Sequence, residues 1–518
     1  MTQPLLIDGH SLTIADVVAV ARQHRPVQLA PVARERMQAS RAYVESLLTP
    51  DAPTVYGINT GFGVFADRKV SPADSAQLSR NLVISHAVCT GEPFAEDVTR
   101  AAMLIRANTL AIGHSGARPR LVETLLAMLN AGVHPIVPQQ GSLGSSGDLA
   151  PLCHLALIFM EGANAGEAIF RGQRMSGKEA MDAAGLPQLT LEAKEGLAIS
   201  NGATFSAAVA ALAVTDGATL LTHSQIATAF ALEALLGVSS AFDERLHSAR
   251  RQSGQSAVAA NLRKLIKGST LVDSSGRVQD PYSLRCAPQI IGPVLDTLAL
   301  ARGWIENEIN AATDNPLLFR EPDNSFKAIS GGNFHGEIIG LGMDYLGIAI
   351  AELGALAEQQ ISRLINEKLS FGLPPMLLSN SAAPGLNSGL MMPHYTAVSL
   401  ALENQTLAHP DSVHSLPTSA GQEDHNANAL TAARHASQII ANVAHILAIQ
   451  FFVSAQAVDL RSKAMPEKHV SPAVAVAHAR LRRDVPFVEH DRFYQADIER
   501  ARALILNGEI AQATGLER

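Results

Sequence analysis

The sequence predicts a mainly α protein, a long helical bundle preceded by a loop-rich N-terminal part. Three observations carry that expectation. Apolar residues recur at helical spacing over long stretches, strand-like alternation is scarce, and glycine, serine and proline collect in a few segments between the periodic ones. The composition agrees. Of 518 residues 47% are hydrophobic, only 17% are charged and 4% are aromatic. Such a chain buries a large core unaided and is too apolar to be disordered.

The elements follow in chain order. TVYGI (54–58) is the main strand-like piece near the front. Asp148 is placed to cap a helix running on as LAPLCHLALIFM, with Pro151 tolerated in its first turn. In FSAAVAALAV, Phe205, Ala208, Val209 and Leu212 follow the i, i+3, i+4, i+7 rule. Asp280 as N-cap and Pro281 at the first position would start a short turn with Tyr282 and Arg285 on one face. Between Ile348 and Lys368, Leu353, Leu356, Ala357 and Leu364 form a stripe flanked by Glu352, Glu358, Arg363 and Glu367. Ser419-x-x-Gln422 has capping-box form, which predicts that Gln422 and Glu423 open a helix. Residues 430–461 read as one long core helix. The uncharged stretch from His435 to Val458 carries Ser437, Gln438, Asn442, His445, Gln450, Ser454 and Gln456, too many polar groups for a membrane span. A coarse boundary near residue 200 separates a first part, 1–200, from a bundle, 201–518.

Several functions are disfavoured at once. With 48 acids against 40 bases the net charge is −8, and no basic cluster suggests nucleic acid. Cys89, Cys153 and Cys286 form no CxxC pair, which points to a reducing compartment and away from a disulfide framework. The first residues lack the pattern of a signal peptide, so a soluble cytoplasmic protein is expected. No metal site is expected, since His409 and His414 are five apart around Pro410 and HExxH is absent. Gly61-x-Gly63-x-x-Ala66 mimics a dinucleotide fingerprint without the βαβ unit it needs. A serine hydrolase using Ser146, His154 or His425, and Asp148 or Asp424 is a rival from another class, but no G-x-S-x-G elbow is present. A non-enzymatic scaffold would leave the dense Gly/Asn/Tyr/Arg loops without a purpose.

Those loops are YGINTGFG, PQQGSLGSSGDLAPL, QDPYSLRCAPQ, ISGGNFHGE, PPMLLSNSAAPGLNSG and HPDSVHSLPTSAGQEDH. The most informative run is Gly144-Ser145-Ser146-Gly147-Asp148, at the positive end of a helix dipole. Lacking a Cβ, Gly147 can bring its nitrogen to the Ser145 carbonyl carbon in a tight turn. Ring closure, with loss of the Ser146 hydroxyl as water, would leave a five-membered ring bearing an exocyclic methylene. That product is an electrophile.

GSLGSSGDLAPL resembles the signature of the aromatic amino-acid ammonia-lyases, and NLVISHAVCTGEP, DPYSLRC-PQ, ISGGNFHGE, GLNSG and SLPTSAGQEDH resemble further family blocks in the same order. The resemblance spans roughly residues 50 to 460. It implies a fumarase/aspartase-like helical bundle acting as one catalytic unit. It also implies a 4-methylidene-imidazole-5-one (MIO) formed from Ser145-Ser146-Gly147 with no external cofactor, and a homotetramer with shared active sites. Ser145 stands where the family usually has Ala, but that side chain is not consumed by cyclisation. Residue by residue, Tyr56 resembles the base that removes the β-proton, and a positive site is expected to lower its phenol pKa from about 10. Arg285 resembles the carboxylate clamp. Tyr282 resembles a second catalytic tyrosine and Gln279 a supporting polar contact. Asn201 resembles the asparagine bonded to the ring or the carboxylate, and Phe334 the aromatic shield.

Substrate choice follows from two pairs. Ser85-His86 and Gln422-Glu423 resemble the histidine-type pairs, and a histidine plus a carboxylate can serve both imidazole nitrogens. The expected reaction is therefore L-histidine to trans-urocanate and ammonia. A sister reaction on another aromatic amino acid, a 2,3-aminomutase or a histidine betaine lyase is the alternative. Gly421, Ala203 and Asn426-Ala427-Asn428 depart from the usual pattern close to the substrate ring. Attack through the amine and attack through the ring both remain open.

Overall fold

In the computed structural model, residues 3–379 and 383–516 are described. Helical periodicity is realised as long helices: Thr204–Ala234, Ala287–Glu308, Glu337–Ile365 and Ala429–Ala464, of 31, 22, 29 and 36 residues. Three of them, Thr204–Ala234, Glu337–Ile365 and Ala429–Ala464, are long and apolar enough to cross a bilayer by composition, but 83%, 56% and 78% of their most apolar windows are buried inside the protein. Burial against protein therefore accounts for most of that apolarity. The polar interruptions in Ala429–Ala464 are largely satisfied. Gln450 donates to the Gln360 side chain, and Gln456 donates to the Val488 carbonyl at 2.9 Å.

The chain clusters into two compact units. One comprises Met1–Leu212, Arg302–Asp344 and Pro410–Arg434; the other comprises Ala213–Ala301, Tyr345–His409 and His435–Arg518. Residues 302–344 and 410–434, which a division near residue 200 assigns to the bundle, thus cluster with the loop-rich N-terminal part.

Among the described residues nine short strands make four small sheets. TVYGI is not among them: Thr54 and Val55 are irregular and residues 56–58 form a turn, with Asn59 Oδ1 accepting from the Val55 N–H at 2.8 Å. Its alternating pattern finds no neighbouring strand to pair with, and a strand needs a ladder. The pair that matters for the site is Thr90–Pro93 against Pro138–Gln140, antiparallel, which anchors the loop leading to Ser146. That loop runs into the helix Leu149–Phe159, where Ala150–Cys153 and Leu155–Phe159 are all buried. It packs against Ser75–His86 and the short helix Glu195–Ser200.

Candidate active site

The turn before Leu149–Phe159 has the shape the glycines predict, with φ of +64° at Gly144 and +73° at Gly147. A Cβ on Gly147 would overlap the backbone of Gly202. The two glycines form a parallel bridge, and the Asp148 N–H donates to the Gly202 carbonyl at 2.9 Å. Ser145 is buried and its Oγ accepts from the Ala427 N–H at 2.9 Å. Ser146 is held at both ends. Its Oγ donates to Glu423 Oε1 at 2.9 Å, and its carbonyl accepts from Asn201 Nδ2 at 2.7 Å. Asn201 is 4% exposed, and its Oδ1 is buried without a hydrogen-bond partner.

Asp148 does not cap its own helix. Its carboxylate accepts from the Ser206 N–H at 2.7 Å, from Ser206 Oγ at 2.9 Å and from Ser142 Oγ at 2.7 Å. It therefore serves the N-terminal turn of Thr204–Ala234, whose unpaired N–H groups attract an anion. Burial raises the Asp148 pKa despite these bonds, which lower it.

A cavity of about 1190 Å³ opens over the triplet, with Tyr56, His86, Ser145, Ser146, Asn201, Phe334, Gln422 and Glu423 in its wall. His86 ends the Ser75–His86 helix, and its Nδ1 lies 2.9 Å from Ser85 Oγ. Burial lowers its pKa and so favours the neutral imidazole, opposed by a bond to the Leu82 backbone carbonyl and by the Glu423 charge. Glu423 Oε2 accepts from Thr418 Oγ1 at 3.1 Å. The expected helix opening at Ser419 is absent. Ser419, Ala420 and Gly421 have φ of +51°, +53° and +85°, Thr418 and Glu423 form an antiparallel bridge, and the helix begins at Ala429. Consecutive left-handed residues cannot continue a right-handed helix. The Tyr56 pKa is raised rather than lowered: burial is the largest cause, the Gly63 N–H opposes it, and the Glu423 and Asp314 charges add to it.

Gln279, Tyr282 and Arg285 do not line this cavity; they stand in the second unit. Tyr282–Arg285 is a single helical turn with Pro281 at its N-cap position, and the Arg285 guanidinium lies 4.7 Å from the Tyr282 ring centre, on the shared face expected. Asp280 is not the cap. Its carboxylate accepts from the Val238 N–H and from Arg277 Nη2, both at 2.6 Å. Tyr282 is 69% exposed.

The sequence reading passes over several residues in or under the cavity. His335 lines it, with its ring stacked at 6.2 Å on that of His425, the histidine of the rival hydrolase reading, and its Nε2 3.0 Å from the His425 carbonyl. Beneath it, Lys194 Nζ and Asp314 Oδ2 pair at 2.6 Å, fully buried, and Arg106 donates to the Asn201 carbonyl at 2.7 Å. A lone arginine in the apolar run MLIRANTLA is a signal that the sequence does carry.

Residues 12–483 match the family described as aromatic amino acid lyase. The chain belongs to the aromatic amino acid lyase family. Among its relatives in this family, a histidine ammonia-lyase from Geobacillus thermodenitrificans is 47% identical over 96% of both chains. Of solved structures, a tyrosine aminomutase from Streptomyces globisporus superposes with a TM-score of 0.92 at 35% identity, covering 99% of this chain and 98% of that one. The histidine ammonia-lyase from Trypanosoma cruzi gives 0.90 at 35% identity, covering 99% and 95%. These neighbours share the helical lyase and aminomutase fold.

Aromatic amino acid lyases work in general through a methylidene-imidazolone. The residues here fit that group. Gly147 occupies a cradle that any Cβ would fill, and the Ser146 hydroxyl faces the cavity from which it would leave. The Ser146 carbonyl already has a donor in Asn201, whose Oδ1 remains unpartnered.

Proposed function

We propose that this chain is an ammonia-lyase that converts L-histidine to trans-urocanate and ammonia, with a methylidene-imidazolone formed from Ser145, Ser146 and Gly147. The observation that carries the substrate is the pairing of His86 and Glu423 in one wall of the cavity beside Ser146, with Glu423 Oε1 bonded to its hydroxyl. Loss of that hydroxyl frees the carboxylate to accept from an imidazole N–H, while neutral His86 serves the other ring nitrogen. A phenyl ring would leave both polar groups unpaired, at about 1–3 kcal/mol each.

The prosthetic ring supplies an electrophile that, through the substrate's amine or its ring, eases departure of ammonia or acidifies the β-hydrogen. Tyr56 takes the β-proton, the amine leaves as ammonia, and the α,β-unsaturated acid remains. Asn201 donates to the Ser146 carbonyl oxygen as electron density arrives there. Phe334 screens the cavity from water, and Gln422 adds a polar contact. Arg285, with Tyr282 and Gln279, comes from another copy of the chain in a homotetramer and clamps the substrate carboxylate. The exposure of Tyr282, and of Tyr345, Ile348, Met392, Tyr395 and Leu402, supports such an assembly. Three free cysteines suit the reducing cytoplasm.

Two measurements test this. The tryptic peptide holding Ser145–Gly147 is expected to be lighter by two waters, and an intact peptide from folded protein would sink the electrophile. Purified protein is then offered histidine, phenylalanine, tyrosine and N-methylated histidines while near-UV absorbance is followed. Turnover of another amino acid without histidine would refute the substrate.

A further inference from the structure

Arg106 is fully buried in the helix Glu96–Ala111, and among the described residues no carboxylate lies within hydrogen-bond distance of its guanidinium. Its Nη1 donates instead to the Asn201 carbonyl at 2.7 Å and Thr204 Oγ1 at 3.3 Å and its Nη2 to the Ala198 carbonyl at 2.6 Å, while Nε is buried without a partner. The acid whose charge it feels is Asp314, which is itself bonded to Lys194. A buried cation costs several kcal/mol unless compensated, so apolar packing alone would not call for one here. Ala198 and Asn201 belong to the C-terminal end of Glu195–Ser200, where helical carbonyls lack partners and a cation is favoured.

The layers then stack directly. On one side of the Asn201–Gly202 peptide, a Cβ on Gly202 would stand 2.7 Å from Arg106 Nη1. On the other side, Gly147 leaves no room for a Cβ against Gly202. We propose that Arg106 is a positioning residue for this site, holding the Asn201–Gly202 peptide against Ser146 and Gly147 so that ring closure and the Asn201 bond to the Ser146 carbonyl both occur in a pinned geometry. The inference rests on the reading that the triplet cyclises. In that closure Gly147 N bonds to the Ser145 carbonyl carbon. The Ser145 oxygen leaves as water with the Ser146 and Gly147 N–H protons, and the Ser146 hydroxyl and Hα leave as a second water. A backbone free to retreat from Arg106 loosens Gly147 and withdraws the Asn201 amide together. Burial lowers the Arg106 pKa to about 10, opposed by the Asp314 charge, so the guanidinium is still charged at neutral pH.

Full-length Arg106→Lys and Arg106→Met, purified as soluble oligomers with native circular dichroism, test this against wild type. Lys keeps the charge without the fork, so it is the variant that tolerates folding best. The readouts are the fraction of triplet peptide lighter by two waters, and kcat and KM per dehydrated site. Both variants are expected to retain intact peptide in folded protein. At the dehydrated sites kcat is expected to fall about tenfold or more, with KM nearly unchanged. A merely structural arginine would lower the melting temperature yet leave the folded fraction fully dehydrated at wild-type kcat per site, and that result overturns the proposal. An intact peptide in wild type overturns the cyclisation reading itself, and this inference with it.

Discussion

Ser146 is where distant parts of the chain converge: the Asn201 amide on its carbonyl lies 55 positions away, and Glu423 on its hydroxyl lies 277 away. Each of these residues is singled out in the sequence by its motif, because the proposed chemistry calls for that residue type. The environment each meets was not legible. Tyr56 shows the difference. A positive surrounding was expected, but the groups that face it within this chain are burial and the charges of Glu423 and Asp314, and its pKa rises. The consequence has a definite sign. A phenol base whose pKa is raised by burial and by neighbouring acids is held more firmly in its protonated form, so the active fraction grows as pH rises. For the proposed reaction, kcat/KM is expected to climb about tenfold per pH unit above neutrality until the phenol titrates. A flat profile from pH 7 to 9 would count against Tyr56 as the base, as would an active Tyr56→Phe.

At the scale of elements, long helices declare themselves by period and short ones do not. Residues 430–461 were readable and became Ala429–Ala464, since dozens of side chains repeat one pattern. Glu195–Ser200, only six residues long, has no period to read, and it is held by charges from elsewhere in the fold. Glu195 has a fully buried side chain and takes Arg118 bidentately, at 2.9 Å through Nε and 2.6 Å through Nη2. Glu195→Gln leaves that guanidinium partly unpaired and is expected to cost about 2–3 kcal/mol. Thermal unfolding should show a lower melting temperature; an unchanged one would mean the pair contributes nothing. Capping readings failed for a related reason. Asp148 and Asp280 are surrounded by several N–H donors, and the nearest free ones belonged to other segments. A rule written on adjacent residues cannot see those.

For the whole molecule, the cavity contains Tyr56 and His86, while Arg285 and Tyr282 belong to the other unit of the chain. If copies share sites, two dead variants should repair one another. Co-expressed Tyr56→Phe and Arg285→Met, each inactive alone, are expected to form mixed tetramers in which about a quarter of the sites draw both intact residues from different copies. Activity near a quarter of wild type in the mixed species supports shared sites, and none at all would place a complete site within one chain. The sequence by itself determined the helical class and the family and named the groups proposed to react, because periodicity and reactive residue types are local properties. Only the tertiary structure decided that Asp148 serves the Thr204–Ala234 helix, that Glu423 sits in a left-handed turn and that Arg106 lies behind Asn201. Those are contacts between residues far apart in the chain, set by which buried donors and acceptors must find partners once the core has formed.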